Sequence, residues 1–164
     1  MQLTGKQIIE RGIITNYTDE AVQQQGIDVR LDSISEVGKN GYIPSNGKTK
    51  IPDYHPITFS APNPIRLEVG YYEVTLQEGC EIPKNATLHF KTRSSLVRSG
   101  AIVHSGQFDA GFKTDKMGCF LQVIRPIYIE HGARIAQAIV FESADVENLY
   151  DGQWQGDKQR IPGS

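Results

Sequence analysis

The chain has 164 residues, 38% of them hydrophobic, and its 17 Lys and Arg against 19 Asp and Glu give a formal net charge of −2. This length is typical of one compact domain with a real core, so we expect a single domain over residues 1–164. The nearly balanced charge argues against a protein that coats nucleic acid or an anionic membrane, and we expect neither as a partner. Any phosphate binding must then come from a local group of basic residues.

Apolar runs and cysteines narrow the class of protein further. The longest apolar runs, such as residues 135–141, are too short to cross a bilayer, and the N-terminus lacks the pattern of a signal peptide. We therefore expect a soluble protein of the cytoplasm. Cys80 and Cys119 have no CxxC spacing, which argues against a disulfide scaffold or a cysteine zinc site and favours two buried, reduced thiols.

The first predicted element is a short amphipathic helix over residues 3–12, with Thr4 as a possible cap and Gly12 as its end. Residues 26–31 (GIDVRL) alternate polar and apolar side chains, which is typical of a half-buried strand. Asp28 and Arg30 would share one face of that strand, where we expect a local ion pair. Residues 38–64 are rich in Gly, Pro, Asn, Lys and Ser, which predicts a long loop or loose hairpin rather than an interdomain linker.

From residue 65 onward, short β-type runs recur between turn signals. No βαβ alternation appears, which argues against a doubly wound nucleotide-binding fold. The spacing predicts an all-β fold, either a β-sandwich, a jelly roll or a distorted barrel. The polar end of the chain, with its single Trp, is typical of a mobile tail. The predicted strands cover residues 66–69, 71–76, 87–91, 101–104, 119–124 and 135–141.

Residues 91–98 (KTRSSLVR) are the first segment with candidate chemistry. Arg93 and Arg98 flank Ser94 and Ser95, and guanidinium forks together with hydroxyl groups suit the oxygens of a phosphate. By composition alone, however, a solvated turn capped by its own hydroxyl groups is the commoner explanation.

Residues 104–112 (HSGQFDAGF) are the second such segment, because they place Asp109 in a tight turn flanked by Gly106 and Gly111. A carboxylate in that position could orient an attacking water, or hold a sugar hydroxyl and a metal-bound water. The structural alternative is an Asx-type turn.

Several enzyme classes lack their signatures in this sequence. His55, His89, His104 and His131 have no HExxH spacing, which argues against a zinc hydrolase. Neither a GxSxG elbow nor a P-loop is present, and the HxE and PCxxC pair of zinc deaminases is absent as well. Any deamination would therefore have to be metal-free.

Five segments, taken in order, resemble the superfamily that unites dUTP diphosphatases with the metal-independent dCTP deaminases. Each motif alone is weak, but five in the right order are specific, and they favour the functional interpretation of the Arg93 and Asp109 segments. The segments are GIDVRL at 26–31, similar to GxDxRL; RSSLVR at 93–98, similar to RSSLAR; FDAGF at 108–112, similar to VDAGF; GARIAQ at 132–137, similar to GxRIAQ; and YDGQWQG at 150–156, similar to the YxGKYQG tail of the deaminase branch.

The resemblance implies a distorted β-barrel or jelly roll of the dUTPase-like β-clip type, with a short N-terminal helix. It also implies a homotrimer with three active sites at subunit interfaces, and a flexible tail, residues 148–164, that closes over the nucleotide. Asp109 would be catalytic, and Arg98 would support the site or reach it from a neighbouring subunit. The implied substrate contacts are Arg93, Ser94, Ser95, Gly106, Gln107, Gln137, Tyr150, Trp154 and Lys158.

One departure from the family pattern decides between the two activities. The deaminases carry a proton-shuttling Glu on the strand after the Asp turn, in a GxxxLE pattern. Here that strand reads GCFLQV, so the position holds Val123, or Gln122 if the register slips by one. Neither side chain can act as a general acid or base. We therefore expect hydrolysis of dUTP to dUMP and pyrophosphate, with Mg²⁺ held through the triphosphate and water rather than by protein ligands.

Three alternatives stay open at this point: a dCTP deaminase with another proton shuttle, yielding dUTP or in a bifunctional form dUMP; a non-catalytic nucleotide-binding regulatory protein; and a plain β-sandwich interaction module. Two further departures concern the pocket and the tail. Residues 113–117 lengthen the link after the Asp turn and are expected to reshape the pocket rim. Gln153 stands where the family's tail has Lys, and Lys158 or Arg160 are candidates to replace it.

Overall fold

The structure is a computed structural model and describes residues 1–156. The predicted all-β fold is confirmed, because strands dominate and the two α-helices are one and a half turns each. The helices are α1 (Gly5–Glu10) and α2 (Ser94–Ser99), and a 3-10 turn covers Asp19–Ala21. The strands are β1 (Ile14–Thr15), β2 (Val22–Gln23), β3 (Gly26–Val37), β4 (Tyr54–Ile57), β5 (Ile65–Leu67), β6 (Gly70–Leu76), β7 (Gly79–Glu81), β8 (Ala86–Thr92), β9 (Ala101–His104), β10 (Lys113–Thr114), β11 (Gly118–Val123), β12 (Ile127–Ile129) and β13 (Arg134–Glu142).

The main sheet curls into a nearly closed barrel in the order β8-β13-β3-β6-β11-β9. Its two end strands meet through one side chain: the Val103 amide donates to Thr92 Oγ1 at 2.9 Å, and that hydroxyl donates to the Val103 carbonyl at 3.4 Å. The inward faces of the strands form one core, in which Leu31, Leu76 and Leu88 are fully buried. The predicted distorted barrel is therefore the observed architecture.

The twelve-residue strand β3 lies in the middle of the main sheet, between β13 and β6. Its first half pairs with β13, and its second half pairs with β6 and β4. The change of partner coincides with a register shift between Leu31 and Ser33. Such irregularities bend a strand and increase its twist, which lets one strand serve two parts of a curved sheet.

The N-terminal helix α1 forms as predicted. Thr4 caps it in a reciprocal capping box with Gln7, and Gly12 follows the helix with a φ of +65°. Cys80 and Cys119 are also buried as predicted, and burial raises the pKa of the Cys80 thiol to about 12. No helix among residues 1–156 is long and apolar enough to span a membrane.

The expected ion pair between Asp28 and Arg30 is wrong. The Arg30 guanidinium binds the buried Glu78 at 2.6 Å, whereas Asp28 faces Arg93 at 3.3 Å and Arg134 at 3.4 Å. Both side chains take partners that are distant in the sequence, because Glu78 lies between β6 and β7, Arg93 directly precedes α2, and Arg134 begins β13. Asp28 is therefore linked to the predicted phosphate-binding segment.

Residues 38–64 form the loose hairpin that the composition predicts. Tyr42 and Lys50 pair through both backbone hydrogen bonds, and β4 then adds to the edge of β3. The segment thus covers the side of the sheet opposite the core, where β6 and β11 carry polar and aromatic side chains. A pocket lies under this cover.

Candidate active site

A pocket of about 370 Å³ opens beside β6 and β11, and its volume lies in the range of small-molecule sites. Three parts of the chain enclose it: the hairpin of residues 38–64, the turn of residues 105–112 and the segment of residues 149–156. The wall is mostly aromatic and aliphatic, with two carboxylate residues, Asp109 and Glu73. Such a lining suits a planar ring with a few hydrogen-bonding atoms.

The Asp109 turn is held rigidly from both sides. The backbone of Phe108 exchanges two hydrogen bonds with Leu88, at 3.0 and 3.1 Å, and the Phe112 amide donates to the Asp109 carbonyl at 3.0 Å. The Phe108 and Phe112 rings pack edge to face in the core. Gln107 Nε2 donates to Asp109 Oδ1 at 2.6 Å, so the carboxylate is oriented at the pocket wall.

Gly111 shows why this turn needs a glycine. Its φ is +88°, and a Cβ there would lie 2.6 Å from the Leu149 Cβ and 3.0 Å from the Tyr150 nitrogen. The left-handed conformation and the close approach of the following chain both exclude a larger residue. The turn and residues 149–150 are thus in direct contact.

Glu73 is a pocket residue that sequence reasoning missed. It lies on β6 opposite Phe120 of β11, so both side chains point to the face away from the core. In the strand pattern YYEVTL that face is expected to be exposed, yet Glu73 is only 7% exposed because the 38–64 hairpin covers it. The Thr75 hydroxyl donates to Glu73 Oε1 at 3.3 Å.

Aromatic side chains surround this carboxyl group. Tyr71 stacks on Phe120 with ring centroids 5.2 Å apart, and Tyr54 meets the same ring edge to face at 6.3 Å. Burial raises the pKa of Tyr54 to about 12, and the charge of Glu73 contributes in the same direction. Tyr54 therefore stays a neutral phenol at physiological pH.

Residues 149–156 pack against the Asp109 turn. The Tyr150 amide donates to the Ala110 carbonyl at 2.8 Å, and the Tyr150 ring meets Phe112 edge to face. The Trp154 amide donates to the Tyr150 hydroxyl at 3.1 Å. Gln153 Nε2 donates to the Thr49 carbonyl at 2.8 Å, which ties this segment to the hairpin. Tyr150 and Trp154 both line the pocket.

The predicted phosphate-binding residues lie elsewhere on the chain. Arg93 immediately precedes α2, with its guanidinium on Asp28 and on the Arg134 carbonyl. Ser94, Ser95 and Arg98 are exposed on α2.

Gln137 belongs to this second group, because it pairs with Asp28 across one edge of β13 and with Lys91 across the other. Among residues 1–156, none of the predicted phosphate-binding residues lines the pocket of the same chain. The structure therefore divides the predicted site into a pocket group and an α2 group.

The remaining predictions for the site have mixed outcomes. Val123 is buried in the core, and Gln122 bonds to His104 at 2.8 Å, so neither lines the pocket. Among the described residues the pocket lining includes Phe112 and Gly118 but not the link between them, which pairs with β7 and holds an ion pair of Lys116 with Asp32 at 2.6 Å. An effect of residues 113–117 on the pocket rim stays a prediction. Lys158 and Arg160 lie outside the described residues.

Comparisons with known proteins match almost the whole chain. The family model described as dCTP deaminase-like matches residues 2–144. A Methanocaldococcus jannaschii protein named deoxyuridine 5'-triphosphate nucleotidohydrolase is 36% identical over 148 residues, 89% of this chain and 94% of that one. A Halobacterium salinarum protein named probable deoxyuridine 5'-triphosphate nucleotidohydrolase is 34% identical over 145 residues, 85% of this chain and 86% of the relative.

A solved structure shows the same fold. The 2'-deoxycytidine 5'-triphosphate deaminase of Agrobacterium tumefaciens superposes with a TM-score of 0.65 at 17% identity, over 87% of this chain and 49% of that one. At this identity the likeness establishes the barrel alone. With the family model matching residues 2–144 and relatives above 30% identity over most of the chain, the protein belongs to the dCTP deaminase-like family.

Proposed function

We propose that this protein hydrolyses dUTP to dUMP and pyrophosphate. The observation that carries the proposal is Asp109, a carboxylate oriented by Gln107 in a pocket of nucleoside size. Support comes from the two archaeal relatives, which are named for this reaction and match this chain over most of their length. The strand β11 offers no carboxyl group for deamination.

In this proposal the pocket group binds the base and sugar of the nucleotide, and the α2 group binds its triphosphate. The aromatic pocket takes the base and sugar, with Gly106 and Gln107 beside them and with Tyr150 and Trp154 over them. Asp109 orients the attacking water or holds the sugar hydroxyl.

Arg93, Ser94 and Ser95 bind the triphosphate in the same scheme, with support from Arg98 and Gln137. The guanidinium of Arg93 is already oriented by Asp28, and the three serine and arginine side chains of α2 are exposed to an incoming ligand. In the same proposal the tail, residues 148–164, closes over the bound nucleotide, and Lys158 contacts a phosphate.

We further propose Mg²⁺ as the metal of this reaction. Among residues 1–156 no three His, Cys, Asp or Glu side chains cluster as a metal cage. Asp109 in the pocket wall fits Mg²⁺ nevertheless, because this ion keeps several of its waters, which a carboxylate can hold, and binds through the substrate's phosphates. The ion would neutralise charge on the triphosphate, and Asp109 would hold one of its waters.

Assembly into a homotrimer is part of the same proposal. Among residues 1–156 the phosphate-binding residues lie outside the pocket of their own chain, which supports a site completed by α2 from a neighbour. Exposed apolar side chains support an interface beside α2: Val97 is 50% exposed, and Ile124, whose amide bonds to Gly100, is 46% exposed. We place the enzyme in the cytoplasm, with the free nucleotides.

The test is pyrophosphate release from dUTP in the presence and absence of Mg²⁺. The Asp109→Asn variant should lose about a hundredfold or more in kcat, because an amide cannot orient the water as a carboxylate does. Asp115→Asn removes an exposed carboxylate outside the pocket and is the matched control. Equal turnover by Asp109→Asn and wild type would rule out the proposed role.

Deamination of dCTP is the second candidate function. Glu73 favours it, because a carboxyl group does line the pocket, from β6 rather than from β11. The reaction would consume dCTP and water and yield dUTP and ammonia. Ammonia release from dCTP that disappears in the Glu73→Gln variant would establish this activity, and its absence leaves dUTP hydrolysis alone.

A further inference from the structure

The hairpin of residues 38–64 contains two Asn-Gly pairs, Asn40-Gly41 and Asn46-Gly47. Both asparagine side chains are exposed. Such a pair is prone to lose the side-chain amide, because glycine has no Cβ that would hinder the approach of its backbone nitrogen to the asparagine side chain. The two pairs have the same sequence and the same exposure, so their backbone surroundings decide which of them reacts.

The reaction is a cyclisation followed by hydrolysis. The glycine backbone nitrogen loses its proton and attacks the asparagine Cγ. A new C–N bond closes a cyclic imide, while the Cγ–Nδ2 bond breaks and ammonia leaves. Water then opens the imide at either of its carbonyl groups, which yields aspartate or isoaspartate. The net change is uptake of water and release of ammonia, with no oxidant or cofactor.

The Asn40-Gly41 pair is anchored on both sides. Before the pair, the Gly38 amide donates to the Asp53 carbonyl at 2.8 Å. After it, Tyr42 and Lys50 exchange two backbone hydrogen bonds, at 2.8 and 2.9 Å. Closure of the imide moves the glycine nitrogen toward the asparagine side chain, and anchors on both sides oppose that movement.

The Asn46-Gly47 pair lies at the open tip of the same hairpin. Among residues 1–156, no hydrogen bond joins residues 43–48 to the rest of the chain. Within the same described part, chain neighbours aside, a Cβ at Gly47 would meet no atom within 4 Å, whereas one at Gly41 would lie 3.4 Å from Pro52 Cδ. The backbone of the tip can therefore take the geometry of the imide without breaking a described hydrogen bond.

We infer that Asn46-Gly47 is a site of spontaneous deamidation and that the fold protects Asn40-Gly41 from the same reaction. The inference goes beyond the proposed function, because the reaction needs no nucleotide. It places a carboxylate within residues 38–52, which contain three lysines and no acidic residue. As the modified fraction rises with the age of the molecules, the positive charge of this cover of the pocket falls.

The experiment follows both pairs in a single peptide. The folded protein is incubated in mildly alkaline buffer, which favours loss of the glycine amide proton, and a sample without incubation gives the background. Trypsin releases residues 40–48 together, and fragments on either side of Pro44 assign the mass gained from amide to acid to one asparagine or the other. We expect Asn46 to react at least about tenfold faster than Asn40.

The chain unfolded in guanidinium chloride is the control for sequence alone. Without the anchors the two pairs have similar freedom, so Asn40 and Asn46 should react at similar rates. A rate ratio in the folded protein no larger than in the unfolded chain overturns the inference. Absence of conversion at Asn46 in the folded protein, over a time in which the unfolded chain is converted, overturns it as well.

Two further controls separate this chemistry from general damage. Asn46→Gln keeps an amide, but its longer side chain must close a larger ring, so this variant should not gain the mass of an acid at position 46 in the same time. Asn63 is exposed as well, but the nitrogen of Pro64 carries no hydrogen and cannot attack it. Conversion at Asn63 as fast as at Asn46 would contradict the mechanism.

Ammonia release makes the result independent of the proposed function. Deamidation releases ammonia without a nucleotide and at most once for each asparagine, whereas deamination of dCTP would release it in every turnover. Ammonia formed by wild type without nucleotide should be lost in Asn46→Gln, and equal release by the two proteins would overturn the inference. Pyrophosphate release from dUTP can succeed or fail in either case.

Discussion

Gly106 is a glycine of the pocket wall with open space beside it: among residues 1–156, its two chain neighbours aside, a Cβ there would meet no atom within 4 Å. The Gly106→Ala variant should keep the wild-type melting temperature, while its methyl group takes space from the nucleotide. We expect the KM for dUTP to rise about tenfold, in line with the cost of overfilling a well-packed space. Steady-state kinetics and thermal melting measure the two effects.

Gly111→Ala is the contrasting variant for this prediction. Its added Cβ would press on residues 149 and 150 from a backbone with a positive φ, so it should lower the melting temperature itself. A loss of stability in Gly106→Ala, or an unchanged KM, would contradict the position of the nucleotide in the pocket.

Asp28 is the residue that orients Arg93. Its side chain is 3% exposed and faces the Arg93 and Arg134 guanidinium groups. Asp28→Asn leaves the shape but removes the charge, so Arg93 loses its orientation toward a phosphate. Binding of the α,β-imido dUTP analogue, measured by calorimetry, should weaken by about tenfold or more.

A matched control for Asp28→Asn is Asp145→Asn, which removes the exposed partner of Lys84. Binding should not change in this variant. If Asp28→Asn binds the analogue as tightly as wild type, Arg93 does not depend on Asp28.

The sequence was informative about site residues wherever a local motif fixes a backbone shape. The Asp109 turn has the tight form that the sequence predicts, because a glycine-flanked turn is a local property, and it lies with Gly106 and Gln107 in the pocket lining. Glu73 had no such motif. Its burial depends on a hairpin that arrives from residues 38–64, and no pattern within YYEVTL contains that information.

At the scale of elements, the buried Glu78 fixes the bend of β3. Its two oxygens accept from the Arg30 amide at 2.8 Å and from Arg30 Nε at 2.6 Å, and Arg30 Nη2 reaches the Asn16 carbonyl at 2.7 Å. Removal of one partner of a buried ion pair leaves the other uncompensated. Glu78→Ala should therefore lower the free energy of unfolding by about 3 kcal/mol, measured by urea denaturation.

Glu81→Ala provides the comparison, because its ion pair with Lys113 is about two thirds exposed on both sides. Exposed pairs contribute little, so this variant should change the free energy of unfolding by less than about 1 kcal/mol. Similar losses in the two variants would mean that burial of Glu78 is not the source of its effect.

Strands and caps were predictable because they depend on near neighbours in the sequence. The strand predicted over residues 101–104 has the observed bounds, and the other strands predicted after residue 65 shift by one or two residues. The strand predicted over residues 26–31 continues to Val37. The partners of Asp28 and Arg30 were not predictable, since each side chain binds residues more than forty positions away in the chain. Arg30 binds Glu78 in the link between β6 and β7, and Asp28 binds Arg93 just before α2 and Arg134 on β13.

At the scale of the whole molecule, the division of the site between two groups predicts complementation. Asp109→Asn and Arg93→Ala should each be inactive alone. In a trimer with sites between neighbours, an equal co-refolded mixture restores a native pair in about a quarter of the sites, half for the pocket times half for α2. Pyrophosphate release from the mixture should therefore approach a quarter of the wild-type rate.

Each variant refolded alone is the control for this experiment, and sedimentation establishes that trimers form. A mixture as inactive as its components would place both groups in one chain. The trimer itself was expected from the resemblance only, because no residue pattern within one chain specifies how copies meet.

The contact between Thr92 and Val103 joins β8 to β9, two strands that share no ladder of backbone hydrogen bonds in the described part of the chain. The segment that connects these strands is the same one that carries Arg93, Ser94 and Ser95. A triphosphate bound to that segment would thus restrain the junction of β8 and β9, and the substrate would also stabilise the fold. Slower hydrogen exchange at the Val103 amide would then report occupancy of a site that Val103 never touches.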